Sequence, residues 1–333
     1  METDRRAFLG AAGGSLVAGA GRVLSAAAQT PASPVSFAGI PNPLEAGVEV
    51  IATGYIWTEG PVWVGGEQGH LLFSDVPGNA IYNWDGKRTT AFLAPSGYQG
   101  FPIPASIREA GSNGLALGRG GLLIADSGTR ALARVDLATR QKAVFAESYQ
   151  GKRFNSPNDL VVARDGAVYF TDPPYGLTDV QKSPLRELTF TGVFRVTPDN
   201  QVHLIADNLF PNGIALSPDN RILYATDNAG WVAIDLDGSG KPTGQRPFVA
   251  SERVGGARGD GMKADSAGNI WASGRGGIYV FSPKGDHIGF APIAGRVSNC
   301  AFGPGRYLYV TNDTQVVRGR IRADFPGGSP IQY

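Results

Sequence analysis

Cysteine occurs once, as Cys300, in a chain of 333 residues, which excludes an intrachain disulfide framework and any zinc site built from several thiolates. Histidine is nearly as scarce, and His70, His203 and His287 all fall away from the positions singled out below. A Ser-His-Asp hydrolase is therefore disfavoured, and the three read as structural. An excess of one charge is missing too. The 30 Lys+Arg and 29 Asp+Glu leave a net charge of +1, no footprint for nucleic acid or an anionic membrane surface. Helical periodicity is hard to find past residue 30, whereas period-two runs are frequent. With 47 Gly and 23 Pro, the chain reads as one large, turn-rich all-β domain.

What is present is a repeat. A small acidic or amide residue, usually followed by Gly, precedes an apolar strand, a turn and a second apolar strand ending in a polar residue. The leading residues are Glu59, Asn113, Asn158, Asn212, Asp260 and Asn299. The period, roughly 40–55 residues, is in the range of propeller blades. Six repeats predict a six-bladed β-propeller with four antiparallel strands per blade. The last repeat lacks a fourth strand, and residues 47–53 form a lone strand ahead of the first. That segment is expected to supply the missing strand and close the ring, hiding two sheet edges. Two long segments, 94–111 and 173–191, interrupt the repeat where loops should overlie the mouth at which the leading residues converge.

The N-terminus reads differently. Arg5-Arg6, the Gly/Ala-rich stretch after them and Ala26-Ala27-Ala28 form a twin-arginine signal pattern over residues 1–28. Export by that route implies a periplasmic or secreted protein with no membrane segment in the mature form. Residues 29–44 read as a Pro-rich extended leader, and residues 45–333 as the propeller catalytic domain.

In a propeller the first strands line an axial channel, so the six leading residues should point toward one another. Two carboxylates and four amides make a hard-oxygen set without His or Cys, which suits Ca²⁺ best, or Mg²⁺ or Mn²⁺, ahead of Zn²⁺. Asn-Gly and Asp-Gly are also turn dipeptides and could serve only to start each strand. Glu59 and Asp260 are harder to explain that way, because two buried carboxylates without a cation are costly.

The segments Glu59-Gly60-Pro61-Val62-Trp63, Asn155-Ser156-Pro157-Asn158-Asp159-Leu160, Phe170-Thr171-Asp172-Pro173-Pro174-Tyr175-Gly176, Pro211-Asn212-Gly213-Ile214-Ala215-Leu216 and Asp260-Gly261-Met262-Lys263 together resemble the gluconolactonase/regucalcin family of calcium-dependent lactonases. The resemblance implies Glu59, Asn212 and Asp260 as metal ligands, Asn158 as a contact to metal or substrate and Asp260 as the acid/base; Asn113, on the same ring, joins Asn158 as a candidate substrate contact. Arg153 is displaced relative to the animal members, so the family's sugar contacts do not carry over as a set. The implied reaction is opening of a sugar or related hydroxy-acid lactone, with a divalent cation polarising the carbonyl and Asp260 managing protons. The substrate is then a small molecule and a monomer is the default state. Two rivals use the same scaffold: a phosphotriesterase-like esterase, and a non-catalytic periplasmic propeller that binds a ligand.

Overall fold

The computed structural model describes residues 37–331; the twin-arginine pattern and the first part of the leader lie outside them. All-β architecture is observed. Strand β1 (Glu49–Thr53) precedes a first sheet of β2 (Thr58–Val64), β3 (His70–Asp75), β4 (Ala80–Trp84) and β5 (Thr89–Leu93). The second sheet holds β6 (Ser112–Gly118), β7 (Gly121–Asp126), β8 (Ala131–Val135) and β9 (Lys142–Ala146). A small hairpin, β10 (Ser148–Tyr149) with β11 (Lys152–Arg153), leads to the third sheet: β12 (Leu160–Val162), β13 (Val168–Asp172), β14 (Gly192–Val196) and β15 (Val202–Ala206). The fourth holds β16 (Ile214–Leu216), β17 (Ile222–Asp227), β18 (Gly230–Leu236) and β19 (Pro242–Ala250).

Local chemistry explains the turns. At Asp85-Gly86 the carboxylate accepts the N–H groups of Lys87 and Arg88, both at 2.9 Å, while Gly86 takes φ +97°. Such an Asx turn with a left-handed glycine reverses a strand in few residues. The second strands of the first three sheets are almost wholly buried. In β3, Leu71, Leu72 and Phe73 are wholly inaccessible, and side chains from both faces fill the spaces between adjacent sheets.

The expected six four-stranded blades are corrected to five. The last sheet contains β20 (Gly259–Ala264), β21 (Ile270–Phe281), β22 (His287–Gly303), β23 (Tyr307–Asn312), β24 (Gln315–Arg320) and β1, six strands in one ladder. The cause is β22, 17 residues without an internal turn. Its first part pairs with β21, from Phe281↔His287 to Arg275↔Arg296, and the rest with β23, from Val297↔Asn312 to Gly303↔Tyr307. The fifth and sixth sequence repeats thus share a strand, and Asn299 lies inside it rather than at the head of a separate blade.

Ring closure by the N-terminal strand is observed. β1 pairs antiparallel with β24 through Glu49↔Arg318, Val50↔Val317 and Ala52↔Val316. The described part of the leader docks on the same sheet. The Phe37 ring lies edge-on to Tyr279 at 5.7 Å and to Phe290 at 5.0 Å, the Pro41 carbonyl accepts the Phe290 N–H, and Leu44 bridges to Ile321.

Candidate active site

The leading residues are brought together by close backbone packing at the glycines that follow them. A Cβ on Gly60 would lie 2.2 Å from the Asn113 carbonyl oxygen, and one on Gly213 would lie 2.1 Å from that of Asp260. Only glycine permits this approach. Two ring hydrogen bonds result, from Gly114 N–H to the Asn158 carbonyl at 2.7 Å and from Gly213 N–H to the Asp260 carbonyl at 3.1 Å. Hydroxyls on second strands tie the ring from behind. Ser74 Oγ donates to the Asn113 carbonyl at 2.8 Å, Thr171 Oγ1 to that of Asn212 at 2.6 Å, and Ser273 Oγ to those of Gly261 and Ser298.

Inside the ring, charge is poorly matched. Glu59 is buried, its Oε2 accepting the Gly60 N–H at 3.0 Å, with the Asn299 side chain also within hydrogen-bond reach of its carboxyl. Burial first, then the charges of Asp260 and Asp159, hold its carboxyl well above the usual range. The same causes, burial followed by Asp159 and Glu109, push Asp260 up to about 7, against the opposing pull of Arg296. Asp260 retains some surface, yet its Oδ1 is inaccessible and without a hydrogen-bond partner. Asn113 Oδ1 is in the same condition. Asn158 is buried and Asn212 half-buried, with the Asn212 N–H on Thr226 Oγ1. Asn299 serves several groups of this centre: besides reaching Glu59, its Nδ2 donates to Asp159 and its Oδ1 accepts from Lys263 Nζ at 3.1 Å.

Two residues at this centre escaped sequence reasoning. Asp159, 1% exposed, stands where four of the other repeats have glycine, and that departure was the available signal. Lys263 Nζ lies 3.8 Å from Asp159 Oδ2, so this carboxylate has its own counter-charge, while among the described residues Glu59 and Asp260 have no cation within 4.0 Å. A third, Glu109, belongs to the first insertion. Its Oε1 takes a 2.6 Å bond from Arg108, and its Oε2 is buried without a partner.

The two insertions hold each other. Arg108 and Glu109 N–H groups donate to the Gly176 carbonyl, and Thr178 N–H donates to that of Ser106. Tyr175 from the second insertion lines a cavity of about 340 Å³, with Trp57, Phe210, Asn212 and Asp260 among its walls. Arg186 and Glu187, also in that insertion, are engaged instead with Asn155 and the Arg153 backbone. The aspartates ending second strands act as turn and loop acceptors: Asp75 for Trp57 N–H, Asp172 for Asn155 and Ser156 N–H, and Asp227 for Phe210 N–H. No histidine lines the cavity.

A hard divalent cation fits this donor set. Two carboxylates raised by burial and by neighbouring carboxylates, and two orphaned acceptor oxygens, are what such an ion satisfies. Among the described residues no three His, Cys, Asp or Glu side chains form a metal cage, so the Asn oxygens would have to complete the shell.

Comparison with known proteins gives a consistent picture. The family described as SMP-30/Gluconolactonase/LRE-like region matches residues 57–314. A gluconolactonase from Zymomonas mobilis is 46% identical over 295 residues, covering 83% of this chain and 81% of that protein. A gluconolactonase structure from Xanthomonas campestris superposes with TM-score 0.72 at 29% identity, covering 89% of this chain and 99% of the other. A calcium-binding regucalcin from Agrobacterium tumefaciens, 20% identical, shares the fold with TM-score 0.67, covering 88% and 99%.

Proposed function

Since the chain belongs to the SMP-30/gluconolactonase/LRE-like family and is a lactonase by that kinship, we propose that its cavity opens a sugar or related hydroxy-acid lactone with a divalent cation, Ca²⁺ first, held by Glu59, Asn158, Asn212 and Asp260. The observation that carries this reading is the pair of carboxylates, buried Glu59 and half-buried Asp260, neither in an ion pair within 4.0 Å among the described residues, with Asp260 Oδ1 left unpartnered.

When bound, the cation polarises the lactone carbonyl and offsets the negative charge that grows on its oxygen. Asp260 does the proton work. One carboxylate oxygen takes a proton from a water whose oxygen attacks the carbonyl carbon; the ring C–O bond then breaks, and the ring oxygen recovers that proton to become the hydroxyl of the product acid. Asn113, with its unpartnered Oδ1, and Asn158 orient substrate hydroxyls. Tyr175, Trp57 and Phe210 supply faces for the sugar ring and exclude water. The ring of hydroxyl–carbonyl bonds behind these residues fixes their backbone before substrate arrives.

The test is acid release from a panel of small lactones by protein dialysed against chelator, then resupplied with Ca²⁺, Mg²⁺, Mn²⁺ or Zn²⁺. Activity that returns with a metal and disappears in Asp260→Asn is the expected result. Full activity in the stripped protein overturns the metal role; tight metal binding without turnover of any lactone moves the site to another ester, phosphotriesters first.

A further inference from the structure

Three arginines line the cavity above Asp260: Arg258, Arg275 and Arg296. Arg275 on β21 and Arg296 on β22 are direct cross-strand partners, so their side chains leave the ladder on the same face. Like charges placed opposite one another destabilise a strand pair, and several guanidinium groups elsewhere in the protein are compensated. Arg195 meets Asp165 at 2.7 Å, Arg246 meets Asp235 at 2.5 Å, and Arg306 donates to the carbonyls of Arg322 and Gly327. Among the described residues no carboxylate lies within 4.0 Å of Arg258, Arg275 or Arg296, and none of the three guanidinium groups donates a hydrogen bond. Arg296 is nevertheless held, its guanidinium 4.4 Å from the Trp57 ring centroid. A sugar-sized cavity thus carries three cations with their donors unspent; the carboxylates that line it with them are Asp260 and Asp227, the latter engaged by the Phe210 N–H.

We infer that this arginine-lined wall binds an oxyanion carried by the substrate away from the reacting carbonyl, so that the preferred lactone is an acidic one, carboxylated or phosphorylated. The inference rests on the lactonase reading and narrows it. Guanidinium forks pair with either oxyanion through two parallel hydrogen bonds. A neutral lactone leaves the wall hydrated and its like charges uncompensated. The anion also orients the substrate, because the three arginines line the same cavity as Asn212 and Asp260.

The experiment compares kcat/KM for gluconolactone, glucarolactone and phosphogluconolactone, with metal-loaded protein at low and at high salt. The expected result is a preference for an acidic probe of roughly tenfold or more that shrinks as salt rises, as an electrostatic contribution does. Whichever acidic probe leads identifies carboxylate or phosphate. Arg275→Gln and Arg296→Gln should collapse the ratio of acidic to neutral kcat/KM toward one; the salt dependence of the unaltered protein gives the same information if either variant fails to fold. Hydrolysis of gluconolactone with no preference for either acidic probe overturns the inference and leaves the lactonase reading standing. If no lactone is opened, that reading fails, and calorimetric titration decides the wall alone: glucarate binding more tightly than gluconate supports it, and equal binding overturns it.

Discussion

Replacing Asp260 by Asn should make the metal-stripped protein more stable while abolishing its activity. The carboxyl of Asp260 is raised from 3.8 to about 7, burial leading and the charges of Asp159 and Glu109 following. A folded-state pKa raised in this way favours the neutral form. Its contribution to stability is fully present below about pH 4 and is lost as pH rises through 7. About three pKa units at 1.36 kcal/mol each amount to about 4 kcal/mol. Sharing between coupled carboxylates brings the expected gain in Asp260→Asn at pH 8 to about 2–4 kcal/mol, and the gain should vanish near pH 4. At roughly 2–3 °C per kcal/mol for a domain of this size, Tm rises by about 4–12 °C. The assay is thermal or urea unfolding in chelator at pH 4, 6 and 8, with lactone hydrolysis in Ca²⁺ measured in parallel. Turnover should fall by roughly a hundredfold or more. An Asp260→Asn protein destabilised at pH 8 in chelator would refute the reasoning, because the carboxylate would then be a structural acceptor and not an uncompensated charge.

Glu59→Gln should weaken Ca²⁺ binding by roughly a hundredfold or more by calorimetry and shrink the Ca²⁺-induced rise in Tm by the mass-action relation; an unchanged affinity would remove Glu59 from the ligand set. Gly213→Ala places a Cβ 2.1 Å from the Asp260 carbonyl oxygen, and backbone displacement there should cost about 1–3 kcal/mol and lower kcat; wild-type stability would show that the ring can relax. Thr171→Val deletes the 2.6 Å bond to the Asn212 carbonyl and should lose about 1–3 kcal/mol in urea unfolding, with an increase in the Kd for Ca²⁺; a stable variant that binds normally would make the hydroxyl hooks incidental. Deleting residues 45–53 exposes the edge of β24 and should yield insoluble protein, whereas a soluble, active truncation would contradict ring closure by β1.

The candidate site was legible because its residues recur: a leading acid or amide followed by glycine has a physical cause, visible in the Gly213 approach to Asp260. The closing strand was legible for a related reason, a lone strand facing a repeat one strand short. Blade count was not. Pro292 and Gly295 look like breakers, but the backbone continues through them, and β22 changes partner from β21 to β23 without a turn. Sequence periodicity counts units, whereas hydrogen bonding decides where one sheet ends. Asp159, Lys263 and Glu109 were missed because their roles come from partners far away in the chain. Nothing near Lys263 in sequence points to Asp159, and nothing near Glu109 points to Asp260. The hydroxyls of Ser74 and Thr171 read as ordinary strand residues until the neighbouring sheet supplies their acceptors.

The pairing of β1 with β24 also dictates an order of events during synthesis. Glu49 and Arg318 are ion-paired across 269 positions of the chain, so the ladder that makes the ring continuous cannot form until nearly the whole polypeptide has left the ribosome. Until then β1 is a strand without a partner, and the first four sheets stand as an open arc. Closing so long a loop is entropically costly and yields its contacts last, the signature of a slow folding step. The nascent chain consequently spends most of its synthesis time with β1 unpaired, and holding that segment in check is a demand that this architecture places on the cell.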